Sequence, residues 1–252
     1  MAVRPIFKPL LSGYPYYDSV DIEFQWFSGF SKSQSIRTIE SLHEAAKMQG
    51  ILSVLEISTK SPSKLGASLS AFKLSLTTPQ GATMSVECAY QGSKVFEGVG
   101  PFHELYEVSS REAKRDPRLR NSGEVTAFEF FGEKFPIEPK TAFYNWLYLT
   151  ALTQMDSHLE KELGAFEAFS DIAFNPKRSI NCQARAVAVY VALTQSMPHQ
   201  VHSLGDWDSY MEIVMGKKIN SPTEVPMRQL ELPFDGVGEA PPLSPPSSKT
   251  EP

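Results

Sequence analysis

Two strongly apolar segments limit the possible folds of this chain more than any other feature of its sequence. The segments "AFYNWLYLTALTQ" (142–154) and "NCQARAVAVYVALTQ" (181–195) both have the pattern of helices with wide apolar faces. A helix with a wide apolar face has to bury that face against other elements. We therefore expect both segments to be central helices of one core.

Strand and helix patterns alternate through the rest of the body. Apolar residues at every second position predict a strand in "DIEFQWF" (21–27), and a short apolar run predicts a buried strand in "ILSVLEIS" (51–58). An apolar stripe with helical spacing predicts a helix that ends at Gly50, and a capping box predicts another that begins at Ser109. Residues 73–87 predict a strand, a turn and the start of a helix. The expected fold class is α+β, mainly helical, with a small β-sheet.

Composition and charge restrict the class of protein. The chain has 252 residues, of which 41% are hydrophobic and 21% charged, which is typical of a soluble globular protein. Because the formal net charge is −5, any contact with DNA or phosphate has to use a local basic patch. The sequence shows no signal peptide and no membrane span, and Cys88 and Cys182 do not form a secreted disulfide framework, so we expect a cytoplasmic protein. The histidines and cysteines have no metal-ligand spacing, so we expect neither a metal nor a cofactor.

The end of the chain differs in composition from the body. Residues 222–252 contain 8 of the 19 prolines and carry a net charge of −3. Such a Pro-rich, weakly apolar composition is typical of disordered chain. We therefore expect a folded domain over residues 1–220 and a disordered tail over residues 221–252.

The segment "SVECAYQGSKVFEG" (85–98) groups three polar side chains that are suited to catalysis. Glu87, Gln91 and Lys94 are separated by offsets of four and seven, which fall on one face of a helix. Glu87 is a candidate general acid or base, and Lys94 a candidate nucleophile if it is desolvated. The alternatives are a solvent-facing glutamate in the first turn, whose charge the helix dipole favours, and a surface lysine.

Several further motifs resemble one protein family. The segments "LSAFKLSL" (69–76), "SSREAKRD" (109–116) and "FSDIAFNPKRSINCQAR" (169–185) flank the E…Q..K segment in the order seen in the NADAR family. The sequences "FQWFSGFSKSQSIRTIESLHEAA" (24–46) and "EPKTAFYNWLYLTAL" (138–152) are similar to the NADAR antitoxins found beside DarT-type DNA ADP-ribosyltransferases. The resemblance covers roughly residues 1–200. It implies the YbiA-like NADAR fold, with residues 1–65 as an N-terminal extension.

The resemblance also implies an activity. NADAR proteins are N-glycosidases that act on a ribosylamino-pyrimidine of the riboflavin pathway or on ADP-ribose joined to guanine. By resemblance, this chain would remove ADP-ribose from guanine in DNA and act as the antitoxin of a DarT-type toxin. The alternatives are a small-molecule N-glycosidase and a non-enzymatic antitoxin that binds its toxin. Ala71 and Cys88 depart from the broader family, in which Asn and His are frequent at these positions.

The catalytic residues that we expect are Glu87, Lys94 and Asp171. An N-glycosidic bond breaks through an oxocarbenium-like state, which a carboxylate stabilises. Lys94 would act electrostatically or would attack the opened sugar as an amine and form a Schiff base. Gln91 would orient one of these groups. Asp171 has an equally good structural interpretation, because it precedes Asn175 by the spacing of a turn cap.

The substrate-binding residues that we expect are aromatic, polar and basic. The aromatic and polar candidates are Trp26, Ser70, Phe72, Tyr90 and Gln91, and the basic ones are Arg111, Lys114 and Arg115. The stretch 111–120 has a local net charge of +3, which suits the diphosphate of ADP-ribose and the phosphates of DNA. The alternatives are aromatic side chains in the core and a solvated charged face.

A short motif in the predicted tail indicates a second partner. Residues 229–234, "QLELPF", resemble the peptide with which bacterial repair and replication proteins bind the DNA sliding clamp. Gln229 would fill a polar subsite, while Leu232 and Phe234 would fill an apolar pocket. Alternatively, this segment packs on the body as a last strand.

Overall fold

The two apolar segments form the central helices of the computed structural model. These helices are Ala142–Thr153 (α6) and Gln183–Ser196 (α8), with elements numbered in chain order. Each buries nine residues, and the two helices pack against each other in the main core, as predicted. The structure describes residues 1–217, except Phe30 and Arg178.

The remaining elements of the described residues give an α+β fold that is mainly helical, as predicted. The other helices are Lys32–Met48 (α1), Lys64–Ser68 (α2), Val86–Gly92 (α3), Ser110–Arg115 (α4), Arg118–Asn121 (α5), Ser157–Leu163 (α7), Pro198–Val201 (α9) and Trp207–Ile213 (α10), with 3₁₀ turns at His103–Tyr106 and His202–Gly205. The strands are Ala2–Pro9 (β1), Tyr17–Phe24 (β2), Val54–Glu56 (β3), Ser75–Thr77 (β4), Thr83–Ser85 (β5), Lys94–Phe96 (β6), Val125–Phe130 (β7), Glu133–Phe135 (β8) and Ala168–Ser170 (β9). None of the described helices is long and apolar enough to cross a membrane.

The strands form three small sheets. The largest has the order β2-β1-β9-β3, in which β1 is antiparallel to both of its neighbours and β9 runs parallel to β3. Helix α1 begins at a capping box formed by Ser31 and Gln34, and its apolar stripe packs on this sheet in a second core. The sheet fixes the end of β9 in the molecule, and therefore the position of Asp171, the residue that follows it.

Two local predictions need correction. The strand predicted over residues 21–27 ends at Phe24, because its pairing with β1 stops at Ala2 and Phe24, so Trp26 lies beyond the strand. Lys94 is not on the helix of Glu87, because α3 ends at Gly92 and Lys94 begins β6. Helix α3 ends at Gly92, which packs closely on Tyr106: a Cβ at this position would lie 2.4 Å from the Tyr106 ring. Two residues later, Lys94 pairs with Phe128 on β7.

The capping box predicted at Ser109 is present. The Ser109 hydroxyl group accepts from the backbone N–H of Glu112, and the Glu112 carboxylate accepts from the backbone N–H of Ser109, so α4 begins there. The predicted tail, residues 221–252, and its motif at residues 229–234 lie outside the described residues.

Candidate active site

The main cavity brings together side chains from distant parts of the chain, between Phe72 and Gln183. It has a volume of about 680 Å³, within the range of small-ligand pockets. Its polar lining comes from α3, α4, α6, the segment that joins β9 to α8 and the first residue of α8: Glu87, Tyr90, Gln91, Lys114, Tyr144, Asp171, Lys177, Ser179, Asn181 and Gln183. The cavity therefore forms only when these segments have folded against one another.

Glu87 is the charged residue that α3 contributes to the cavity. Ser85 is the N-cap of this helix, since its hydroxyl accepts from the backbone N–H of Cys88 at 3.1 Å. Although Glu87 is in the first turn, it is only 4% exposed, so it is not the solvent-facing residue of the alternative interpretation. Its Oε1 accepts a hydrogen bond from Gln91 Nε2 at 2.8 Å and lies 3.4 Å from Lys114 Nζ. A buried carboxylate is thus held at the cavity with an amide and an ammonium group beside it.

Lys94 reaches this group from β6 rather than from the helix. Its Nζ donates to Gln91 Oε1 at 2.7 Å and lies 4.8 Å from the centre of the Tyr90 ring. Gln91 therefore connects the amine of Lys94 to the carboxylate of Glu87. Burial lowers the pKa of Lys94 to about 8; the charge of Glu87 opposes this shift and that of Lys114 adds to it. A part of the Lys94 population is therefore an unprotonated amine near neutral pH.

Asp171 caps a turn and also lines the cavity. Its Oδ1 accepts from the backbone N–H groups of Ala173 and Phe174, at 3.0 and 3.1 Å. Its Oδ2 accepts from Gln183 Nε2 at 3.1 Å. The side chain is 6% exposed, and burial raises the pKa of Asp171 to about 6, while the hydrogen bond from Gln183 opposes the shift. Asp171 therefore caps the turn, as the alternative interpretation predicts, and also lines the cavity.

Three cavity residues had no role predicted from the sequence: one lies before α8, one begins α8 and one lies on α6. Asn181 Nδ2 donates to the Tyr90 hydroxyl at 3.2 Å, and Gln183 Oε1 accepts from the backbone N–H of Ala71 at 2.6 Å. Tyr144, on α6, packs edge-on against Tyr90 with their ring centres 5.2 Å apart. The motif "INCQAR" (180–185), which is part of the family resemblance, contains Asn181 and Gln183 and was the sequence signal that could have identified them.

A comparison with protein families identifies the chain. A family model described as "DarT1-associated NADAR antitoxin" matches residues 2–224. The chain belongs to the NADAR antitoxin family. This result confirms the resemblance proposed from the sequence. No curated protein matches the chain.

Of the other predicted binding residues of this NADAR antitoxin, some line the cavity. Phe72, Tyr90, Gln91 and Lys114 do so, and Lys114 Nζ lies 5.0 Å from the centre of the Phe72 ring. The Lys114 side chain is 57% exposed, so it stands at the cavity mouth between water and Glu87.

The rest lie elsewhere. Arg111 and Arg115 are exposed on α4 and do not line the cavity. Ser70 is buried and its hydroxyl accepts from the backbone N–H of Phe72 at 3.4 Å, which is a turn contact. Trp26 is 40% exposed, with the Arg4 guanidinium 5.3 Å from the centre of its ring, and it is also absent from the cavity lining.

Proposed function

We propose that this NADAR antitoxin is an N-glycosidase that removes ADP-ribose from guanine in DNA and so reverses the modification made by a DarT-type toxin. The observation that carries the proposal is the buried carboxylate of Glu87 at a cavity of about 680 Å³, connected to two lysines and facing the same cavity as Asp171. The family assignment supports the antitoxin role.

The polar groups of the cavity match the charges of this reaction. Cleavage of an N-glycosidic bond develops positive charge on the sugar, which a buried carboxylate such as Glu87 or Asp171 stabilises. The departing base needs a proton. Lys114 at the mouth suits the diphosphate of ADP-ribose, because an ammonium group pairs with phosphate. The aromatic ring of Phe72 lies beside it and offers a surface for a base.

Lys94 supplies a route through a covalent intermediate. Its pKa of about 8 leaves part of the amine unprotonated, and Gln91 connects it to Glu87. In this route a cavity acid protonates the ring oxygen, the bond between C1 and that oxygen breaks, and C1 is left as an imine to guanine. The amine of Lys94 then adds to C1, the bond from C1 to guanine breaks as guanine takes up a proton that Nζ gives up, and a Schiff base remains between C1 and Nζ. Water then hydrolyses the Schiff base, which releases ADP-ribose and restores the amine. Lys94 has to turn from Gln91 into the cavity for this step, since it does not line the cavity in the structure.

The test is release of ADP-ribose from an oligonucleotide that contains one ADP-ribosylated guanine. We expect Glu87→Gln and Lys94→Ala each to abolish release while the proteins remain folded. Glu124→Gln and Lys134→Ala are matched controls, because both residues are exposed and lie outside the cavity lining. Full activity in both folded site variants would contradict the assignment.

The same assay separates the proposal from the other two functions. A small-molecule N-glycosidase would release the base from a ribosylamino-pyrimidine phosphate and leave the modified oligonucleotide intact. An antitoxin that only masks its toxin would neutralise it equally well as wild type and as Glu87→Gln. We expect neither result.

We also propose a tethering partner. Residues 229–234 resemble a peptide that binds the sliding clamp, and clamp binding would raise the concentration of the enzyme near replicating DNA. This proposal rests on the sequence of residues 229–234 alone.

A further inference from the structure

A second buried carboxyl group lies directly behind the cavity. Glu56, on β3, is 1% exposed and does not line the cavity. Strands β3 and β9 run parallel and pair Glu56 with Ser170, which brings this carboxyl group beside the chain on both sides of Asp171. Since a buried carboxyl group costs free energy unless its oxygens are hydrogen-bonded, its partners indicate what it does.

The partners of Glu56 are the two neighbours of Asp171. Glu56 Oε2 accepts from the Ser170 hydroxyl at 2.6 Å, and Glu56 Oε1 accepts from the backbone N–H of Ile172 at 2.9 Å. A third bond, from the Ser58 hydroxyl to Oε1 at 2.7 Å, is local to β3. One carboxyl group therefore holds the residues before and after Asp171 on the side away from the cavity.

We propose that Glu56 is a positioning residue that fixes the carboxylate of Asp171 toward the cavity; this inference rests on the proposed function. Successive side chains of an extended chain point to opposite sides. Because Ser170 is held toward Glu56, Asp171 projects toward Gln183 and the cavity. The Ile172 amide then fixes the start of the turn that Asp171 caps.

The hydrogen bonds continue from Glu56 to the surface of α1. His43 Nε2 lies 2.8 Å from the Ser170 hydroxyl, and burial lowers the pKa of His43 to about 4, so the ring is neutral near pH 7. His43 also lines a surface cavity with Glu40, Glu44 and Lys47. When Glu56 is ionised, the Ser170 hydroxyl donates to it and accepts from His43 Nε2–H. When Glu56 is protonated, Ser170 accepts from Glu56 and donates to His43 Nε2, with the ring proton on Nδ1. The chain of bonds is therefore satisfied in both protonation states of Glu56.

Charge couples Glu56 to Asp171 as well. Burial, and next the negative charge of Asp171, raise the pKa of Glu56 to about 7, although the bonds from Ser170, Ser58 and Ile172 oppose the shift. Because the two charges interact, neither carboxyl group ionises independently of the other. The titration of Asp171 should therefore contain a second step that comes from the ionisation of Glu56.

The decisive variant is Glu56→Gln, which keeps an acceptor for Ile172 and removes the charge. The Asp171 side-chain carboxyl carbon is followed by NMR against pH, and kcat is measured on the modified oligonucleotide over the same range. We expect two steps in the NMR titration of Asp171 in the wild type and one step in Glu56→Gln. The plot of kcat against pH should likewise show a step near pH 7 in the wild type that is absent in Glu56→Gln. An Asp171 titration identical in the two proteins would overturn the proposal.

Two more variants separate positioning from general stability. Glu56→Ala, which leaves Ile172 without its acceptor, should lower kcat at least tenfold with little change in KM, and Glu56→Gln should restore most of that loss. Ser58→Ala is the matched control, since it removes a bond to the same carboxyl group without touching the neighbours of Asp171, and it should change kcat less than twofold. A folded Glu56→Ala with wild-type kcat would refute positioning. If wild type releases no ADP-ribose, the proposed function fails, while the NMR titration still decides whether Glu56 acts on Asp171.

Discussion

Replacing Gln183 by alanine should lower the free energy of unfolding by more than the loss of one hydrogen bond would. Its amide makes two hydrogen bonds, which join two parts of the cavity wall. Gln183 Oε1 accepts from the buried backbone N–H of Ala71 at 2.6 Å, and Nε2 donates to Asp171 at 3.1 Å. Leaving a buried N–H unpaired costs about 1–3 kcal/mol, and a hydrogen bond to a charged group contributes about 1.5–3 kcal/mol. We therefore expect a loss of about 3 kcal/mol in the free energy of unfolding, which lowers Tm by about 6–12 °C for a domain of this size.

Gln154→Ala is the matched control for this measurement. Gln154 also makes two hydrogen bonds, to the backbone N–H and C=O of Thr77 at 2.7 and 2.9 Å, but at an exposed position. Water replaces those bonds, so its loss should cost less than about 1 kcal/mol. Urea unfolding of both variants gives the comparison. Equal costs for the two substitutions would refute the argument from burial.

The pH dependence gives a second readout of Gln183→Ala. The hydrogen bond from Gln183 opposes the rise in the pKa of Asp171, so its removal should raise that pKa above about 6. Because the lost bond favours the ionised carboxylate, the variant should lose more stability at pH 8, where Asp171 is ionised in the folded wild type, than at pH 5, where it is mostly protonated. The acid limb of kcat/KM should move to higher pH. An unmoved acid limb would show that Asp171 does not have to be ionised for turnover.

Three further predictions concern the remaining proposals. Borohydride added during turnover should trap the sugar on Lys94, detected as a mass increase on its peptide; no adduct under good turnover would favour direct attack by water. Lys114→Ala should raise KM for the modified oligonucleotide about tenfold and reduce the salt dependence of KM. Arg115→Ala, on the same helix but outside the cavity lining, should change KM less than twofold. Equal effects of the two substitutions would indicate that the whole basic stretch contacts the DNA. A peptide of residues 225–240 should bind the sliding clamp with micromolar affinity in a calorimetric titration, and replacing both Gln229 and Phe234 by alanine should abolish binding; a wild-type peptide that does not bind would end the clamp proposal.

The sequence predicted those elements whose signals are local. Wide apolar faces identified α6 and α8, and the pair Ser109 and Glu112 identified the start of α4, because apolar periodicity and capping depend on residues a few positions apart. The offsets of four and seven predicted that Glu87, Gln91 and Lys94 lie together, and they do, although Lys94 reaches the other two from β6 and not from the helix. Each of these predictions needed only neighbouring residues or a known pattern.

The sequence predicts less where distant contacts decide the local structure. Lys94 has the sequence spacing from Glu87 that would place both on one face of a helix. Instead, Lys94 pairs with Phe128 on β7, more than thirty residues away, so this part of the chain is a strand and not a continuation of α3. The net charge of the basic stretch could not show that Lys114, and not Arg115, lies beside Glu87. The packing of α4 on α3 decides which of the two cations reaches this carboxylate.

Glu56 shows the same limit for the candidate site. It stands in a short apolar run that correctly predicted a buried strand, and a carboxylate in such a run is a signal that a buried partner exists. The partner lies on β9, more than 110 residues further along the chain. Without the parallel pairing of β3 and β9, nothing in the sequence connects Glu56 with Asp171.

The position of β1 has a consequence for synthesis on the ribosome. Strand β1 is made among the first residues, yet its second partner, β9, pairs Phe169 with Phe7 and is made roughly 160 residues later. At about 5–20 residues per second, β1 waits roughly 8–30 s for that neighbour. Asp171 follows β9 directly in the chain, so a nascent antitoxin cannot complete its cavity before most of the chain has been made. Truncated products of interrupted translation that end before β9 would therefore lack both Asp171 and the strand that lies between β1 and β3.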